Sequence, residues 1–465
     1  MNESVTFQNP TALNRSFRSH LGATLVLGVP LVVAQVAQML INVTDTIMLG
    51  WLGTRELAAG TLAFQSFFIL MIFGLGFGAA MIPLIANALG RQDERAVRRA
   101  SRMGLWVLLA LAMFFQVPLY FTEVILVAFG QEPALAELAQ SYMRIAQWSM
   151  IPAFVLIGLR SFLTGLEKAV AVLWLTVVMA LINGVMNYAL IFGNWGFPRL
   201  EMEGAAIATV IANTAGALAV VAYVLMDKDS RPFELFKNFW RPEWSALLSI
   251  VKLGVPISLG IFAEVGMFLT GSLMVGWIGV VELAAHSVAL QLASIAFMVP
   301  LGLAQAASVR VGNADGRGDG VAVGRAGRAV MVLALGFAVA AGILFALSPE
   351  PLIKLWLDAD NPDLEMIVRV GAPMLYMAAA FQIFDTLQVT ASGSLRGLQD
   401  TAVPMVIMVI AYWMVGLTTA YAAAFWLGWG AVGVWAGLVV GLGFAAVALT
   451  WRFEIRERLG LLSAK

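Results

Sequence analysis

The sequence predicts an all-α integral membrane protein: twelve transmembrane helices in two six-helix lobes, related by a pseudo-twofold axis along the membrane normal. Three observations predict it. Of 465 residues, 61% are apolar and only 12% charged, where soluble domains carry about 25% charge. A soluble fold must face water over part of its surface and has no place for so much apolar area. Twelve stretches have the roughly 20 apolar residues that a helix needs to cross hydrocarbon. Finally, the chain repeats itself at a fixed offset.

The stretches run near 22–50, 58–88, 104–129, 142–164, 170–193, 204–226, 248–277, 283–310, 327–348, 367–392, 403–427 and 431–451. An even number places both ends on one side, and basic residues decide which. With both termini cytoplasmic, 23 of the 28 Lys and Arg fall inside, in clusters such as Arg91, Arg95, Arg98, Arg99 and Arg102. Arg160 and Arg396 count among them. Only Arg55, Arg144, Arg199, Lys354 and Arg369 fall outside, where loops tend to be acidic, as from Glu350 through Asp358, Asp360 and Asp363 to Glu365. The division reads as a tail over 1–20, an N-lobe over 21–226, a polar linker over 227–246, a C-lobe over 247–452 and a tail over 453–465. Residues 1–20 lack the apolar core and cleavage site of a signal peptide, so the first span is expected to direct insertion itself.

Sliding the chain by 226 residues aligns 27–100 with 253–326 without a gap, and 29 of 74 positions are identical. Leu27-Gly28-Val29-Pro30 falls on Leu253-Gly254-Val255-Pro256, and Glu56-Leu57-Ala58-Ala59 on Glu282-Leu283-Ala284-Ala285. Shared apolar composition does not produce that agreement. Six spans per half leave both halves facing the same way. Transporters built as such parallel repeats bind near the midplane between the halves.

Most carboxylates lie in loops or at helix ends, but Asp45, Glu264 and Asp385 fall inside the first, seventh and tenth spans. Each ionised carboxylate at bilayer depth costs roughly 2.5–3.5 kcal/mol, and such residues usually mark ion paths. The bland alternative is a carboxylate satisfied by neighbouring hydroxyls or amides that only fixes packing. The nearest basic residues sit at helix ends, so the reading leaves these acids without a fixed counter-ion. Such a group suits reversible protonation, and the converging pair Glu264 and Asp385 suits Na+. Asn183 and Asn187 are spaced i,i+4 and share a helical face. They and Asp45 belong to the first half, as a second site or as packing glue. The repeat partner of Asp45 is Gly271 and that of Glu264 is Gln38, so the halves do different jobs. Pro30 and Pro256 sit at matching points and either bend their helices or merely start them.

Asp385-Thr386-Leu387-Gln388, followed by Gly393-Ser394-Leu395-Arg396-Gly397 and Asp400-Thr401, resembles a signature of multidrug and toxic compound extrusion (MATE) transporters. So does Asp45-Thr46-Ile47-Met48-Leu49-Gly50. The resemblance runs over nearly the whole chain and is closest to the NorM-type bacterial branch. It implies an inner-membrane antiporter that exports cationic or amphiphilic drugs against an inward flow of Na+ or H+. It associates Glu264 and Asp385 with cation binding in the C-lobe, and Asp45, Asn183 and Asn187 with a cation or proton site in the N-lobe. Phe381 departs from the pattern: a tyrosine is expected there in sodium-coupled relatives.

The 28 Phe, 14 Trp and 23 Met offer an adaptable apolar surface, and aromatic faces attract organic cations. Gln38, Gln65, Gln291 and Gln388 are mid-span candidates for a substrate cavity, while His286 reads as a helix-interface residue. The expected partners are these drugs and the lipid bilayer, for a monomer needing no cofactor beyond its coupling ion. Zero net charge argues against nucleic acid. The absence of cysteine excludes thiol chemistry, and no HExxH, GxSxG or phosphate-cradling motif points to an enzyme. A lipid-linked precursor flippase is the alternative, but it calls for a basic cavity, and the charges within these spans are acidic.

Overall fold

The computed structural model describes residues 16–357 and 362–463, apart from the Thr54 side chain, and among them every regular element is helical. The expected N-terminal tail falls mostly outside the described residues, as do Arg15, Asp358, Asp360 and Lys465. Among the described residues twelve helices are long and apolar enough to cross a membrane. They are α1 (Phe17–Gly50), α2 (Thr54–Gly90), α3 (Glu94–Tyr120), α4 (Pro133–Gly165), α5 (Ala169–Phe192) and α6 (Glu201–Met226). Then follow α7 (Trp244–Ile278), α8 (Val280–Gly316), α9 (Gly320–Leu347), α10 (Leu364–Gly397), α11 (Ala402–Trp426) and α12 (Gly430–Glu454). Several outrun their apolar stretches because their polar ends continue in helix. The third differs most: α3 begins ten residues early, at the cap supplied by Asp93, and stops at Tyr120. The rest of that apolar stretch forms a separate short helix over Thr122–Ala128.

The repeat appears in local geometry. Helices α2 and α8 begin and end at positions that differ by the offset seen in the sequence. The next helices are capped alike: the Asp93 carboxylate accepts from the Ala96 amide at 2.9 Å, and that of Asp319 from Ala322 at 2.8 Å. Each cap satisfies an amide with no partner inside its helix. Gly53 and Gly279, just before α2 and α8, stand where a Cβ would meet the folded-back carboxylate of Glu56 or Glu282. An acid is favourable at that positive helix end, and a glycine admits it.

Contacts divide the chain into two compact units, one of residues 33–258 and one of 17–32 with 259–463, among those described. In the second unit α12 lies on α11 through Gly433, Gly437 and Gly441. A Cβ at any of these would stand within 2.8 Å of α11 backbone. Small residues let helix backbones approach where lipid offers no hydrophobic drive for association. The facing stretch of α11 widens into π-helix over Ile410–Gly416 and Ala422–Trp426.

In the first unit the linker is pinned. Arg98 donates from Nε to the Phe233 carbonyl at 2.7 Å, Arg102 to the Asn238 carbonyl at 3.0 Å, and the Trp106 indole to the Phe239 carbonyl at 2.9 Å. Arg102, 3% exposed, also pairs with Glu243. At the linker's start Lys168 holds Asp227 at 3.1 Å and Asp229 at 2.5 Å. Partial burial works against the Asp227 charge, but hydrogen bonds from Ser230 and Lys168 outweigh it and hold the carboxyl below its ordinary value.

Two outcomes follow from this docking. Arg102→Ala removes the buried guanidinium from the Lys237 and Asn238 carbonyls and leaves Glu243 only the half-exposed Arg99 at 3.5 Å, a loss of about 3 kcal/mol. The purified protein should melt earlier and be cut by protease within 227–243, where the wild type resists. A carboxyl depressed on folding stabilises fully above its unfolded value, near about 4, and loses that contribution as pH falls through the lowered one. Asp227→Asn should therefore melt below wild type at pH 7, and the gap should close as melting is repeated below about pH 4.

Candidate functional site

In the first unit α1 carries Asp45, and α5 carries Asn183 and Asn187 on one face, both asparagines buried. The Asn187 amide donates to Asp45 Oδ1 and lies 3.3 Å from Asn183 Oδ1. Asn183 also bonds the Asp45 carboxylate, and the charge of Asp45 reaches Tyr142 on α4, which shares a hydrogen bond with Thr209 on α6. Three helices thus surround the half-buried carboxylate of a fourth with neutral polar groups.

The second unit holds the other pair. Asp385 is buried on α10, Glu264 is half-buried on α7, and each lies within reach of the other's charge. Both act on Tyr412 of α11, which is fully buried. Gln382 stands on the same face of α10 as Asp385, three residues before it. Asp385 Oδ1, both side-chain polar atoms of Gln382, the Thr386 and Tyr412 hydroxyls and the Trp435 Nε1 are all buried without a hydrogen-bond partner. Buried polar groups are nearly always paired, so these groups make up the candidate site of the second unit. Hard monovalent and divalent cations bind oxygen ligands of these kinds. Among the described residues no three His, Asp or Glu converge as a metal centre, so any cation here is held by two acids and neutral oxygens.

Phe381 is buried against Phe268 at 5.9 Å and Trp435 at 5.6 Å between ring centres. His286 lies between helices as expected, with Nε2 3.0 Å from the Ser272 hydroxyl and its ring edge-on to Trp435. The four glutamines do not share one environment. Gln65 is exposed, Gln38 and Gln291 are half-buried, and Gln388 is buried with its amide 3.3 Å from the Met408 sulfur. Pro30 and Pro256 lie well inside α1 and α7, which rules out helix-start prolines.

The basic residue whose charge reaches these acids sits at a helix end, as the sequence suggested. Arg396 stands in the last turn of α10, and its charge reaches Glu264. Arg160 lies inside α4 and donates to Gln38 Oε1 at 2.9 Å. A long guanidinium side chain reaches more than a helical turn from its Cα, which counting residues into loops overlooks. Among the described residues, however, neither Asp45, Glu264 nor Asp385 forms an ion pair within 4.0 Å. The reading from sequence also missed Gln382, Tyr142, Thr209, Tyr412 and Trp435. The i,i+3 spacing of Gln382 and Asp385 was a usable signal; the others come from separate helices and left none.

The MatE family profile matches residues 30–189 and 256–422, most of both units. A probable multidrug resistance protein NorM of Rhizobium meliloti (strain 1021) is 48% identical over 95% of this chain and 94% of its own length. A probable multidrug resistance protein NorM of Agrobacterium fabrum (strain C58 / ATCC 33970) is 44% identical over the full length of both. Among solved structures, a MATE protein in complex with MaL6 superposes with a TM-score of 0.88 at 21% identity, over 98% of this chain and 99% of that one. An outward-facing multidrug resistance MATE family transporter of the MOP superfamily gives 0.87 at 20% identity, over 98% and 99%. With the same fold along its length, relatives close to half identical and the family profile spanning both units, the chain belongs to the MatE family, in its NorM-type branch.

Proposed function

We propose that this protein exports cationic and amphiphilic drugs across a bacterial inner membrane in exchange for Na+ or H+, by alternating access. Both termini are cytoplasmic in this reading, as the distribution of Lys and Arg requires, and one chain suffices. The observation that carries it is the set of three carboxylates inside membrane helices, set among polar groups and, among the described residues, free of ion pairs. A permanently paired acid has no room for a travelling cation; these have. The names of the relatives supply the cargo, since those proteins are described as multidrug resistance proteins.

The coupling ion works through different affinities in two states, since a ligand that binds both equally shifts nothing. Taken up from outside at Glu264 and Asp385, and at Asp45 in the other unit, it stabilises the state that releases drug outward. Its departure inward permits reloading from the cytoplasm or inner leaflet. Tyr412 bears on the choice of ion. Phe381 brings no hydroxyl, but Tyr412 carries one within the field of both acids, which supports it as a replacement oxygen ligand for Na+.

Efflux from proteoliposomes under an imposed Na+ or H+ gradient is the test. Asp45→Asn and Asp385→Asn should each slow gradient-driven efflux at least about tenfold, which a change of roughly 1.4 kcal/mol in cation binding produces. Retention of full efflux by both variants would refute the coupling role. Asn187→Leu should impair efflux less than Asp45→Asn, because Asn183 still bonds the carboxylate. Tyr412→Phe should diminish dependence on Na+ if that hydroxyl is a ligand, and Phe381→Tyr should strengthen it; unchanged Na+ curves in both would remove hydroxyl ligation from the account.

A further inference from the structure

Within the first unit, the linker does not stay at the level where α3 first pins it. Arg98 holds the Phe233 carbonyl, Arg102 that of Asn238, and the Trp106 indole that of Phe239. Arg98 and Trp106 lie eight residues apart on α3, about 12 Å at the rise of an α-helix. Over these contacts the linker climbs α3 from its charged start toward its apolar part. It then turns back, since the Glu243 amide meets the Met103 sulfur at 3.3 Å and the Glu243 carboxylate pairs with Arg102. The tip of the excursion is Phe239-Trp240, stacked beside Trp106 where the apolar stretch of α3 begins.

This tip is aromatic and open. Trp240 is 81% exposed, its ring 6.3 Å from that of Trp106 and 5.4 Å from that of Phe239. Trp244, which opens α7, is 66% exposed. An indole left in water forfeits the burial of a large apolar ring, whereas tryptophan is enriched where a membrane meets water. Charge around the tip is unbalanced in one sense. Glu234 is taken by Arg98 at 3.3 Å and Lys237 at 2.9 Å, and Glu243 by Arg102. Arg241 follows the tip, and Arg95 lies on the face of α3 that carries Arg102 and Trp106. Both are exposed, and among the described residues neither forms an ion pair.

We propose that the linker tip docks on the membrane surface: Trp240 enters the headgroup zone of the adjoining leaflet, and Arg241 and Arg95 meet anionic phospholipids there. That leaflet is the cytoplasmic one in the topology proposed above. Basic residues beside a membrane favour lipids of net negative charge, so the partner is an anionic phospholipid surface rather than a zwitterionic one. The linker is then held on two sides, by the arginines and indole of α3 and by lipid.

Hydrogen exchange of the full chain decides this, in nanodiscs of phosphatidylcholine alone and in discs mixed with phosphatidylglycerol. Amides over 236–241 should exchange about fivefold more slowly in the anionic discs, the effect of one basic residue at such a surface. The difference should shrink as salt is raised, because exposed charges are screened. Arg241→Gln should remove most of it, and Trp240→Ser should speed exchange in both kinds of disc. Both side chains are exposed, and neither variant removes a hydrogen bond to α3. Equal exchange in the two lipids would overturn the proposal, as would a lipid difference that survives Arg241→Gln or exchange unmoved by Trp240→Ser. Protection seen only when two copies share a disc would also overturn it, by making the partner a second chain. Discs offer the same lipid on both faces and carry no gradient, so the result stands apart from the orientation and the transport cycle proposed above.

Discussion

A charge inside hydrocarbon must be met by protein, and much of this structure answers to that demand. Water is absent at bilayer depth, so an acid there is tolerated only among groups that bond it or beside a cation that visits it. Asp45 is met by two amides, with two hydroxyl-bearing side chains behind them. Asp385 is buried three residues after Gln382 on the same helical face, and its charge reaches the buried Tyr412 hydroxyl. The same demand explains the linker, whose carbonyls and acids take up the arginines of α3 at the end of the membrane core.

Duplication supplies the scaffold on which that distribution is written. Caps, helix bounds and the glycines before α2 and α8 recur at one offset in both units, because they are set by backbone geometry, which both copies must keep. The carboxylates inside the spans do not recur: the partner of Asp45 is Gly271 and that of Glu264 is Gln38. Backbone hydrogen bonds in lipid have no substitute, whereas a polar side chain in one unit can be replaced by an apolar one without undoing a helix. The fold is held in common, and the chemistry has diverged within it.

This division also governs what the sequence makes legible. The twelve spans, the repeat, the interface histidine and the joining of Asp45 to Asn183 and Asn187 were readable. Apolar length, identity at a fixed shift and an i,i+4 spacing are each contained within one segment or a pair of aligned ones. Tyr142, Thr209, Tyr412 and Trp435 were not, since a lone polar or aromatic residue in an apolar helix carries no sign of which way it faces or which helices gather round it. The reach of Arg396 toward Glu264 escaped for a related reason: side-chain length carries charge away from the position that residue numbers suggest. The linker was identified by its polarity, but its attachment depends on carbonyl acceptors that no side-chain pattern announces.

The arginines show how one arrangement serves two purposes. In the first unit Arg160 of the fourth span donates to Gln38 of the first. In the second, position 264 is the repeat partner of Gln38 and carries an acid, and the arginine whose charge reaches it, Arg396, again comes from the fourth span of its half. An amide gives a guanidinium a hydrogen bond and no charge to cancel, so the first contact is indifferent to a passing cation. A carboxylate under the field of a guanidinium that does not touch it is a different object. It stays open to a mobile ion while feeling a fixed positive neighbour that opposes tight binding. A site meant to load and unload must avoid binding so strongly that release becomes slow. Among the described residues Asp45 has only neutral groups in contact, so the two units hold their acids under different electrostatic terms on a shared scaffold. The exchange of glutamine for glutamate at one repeated position, with a basic residue near each, accounts for that difference without any change of fold.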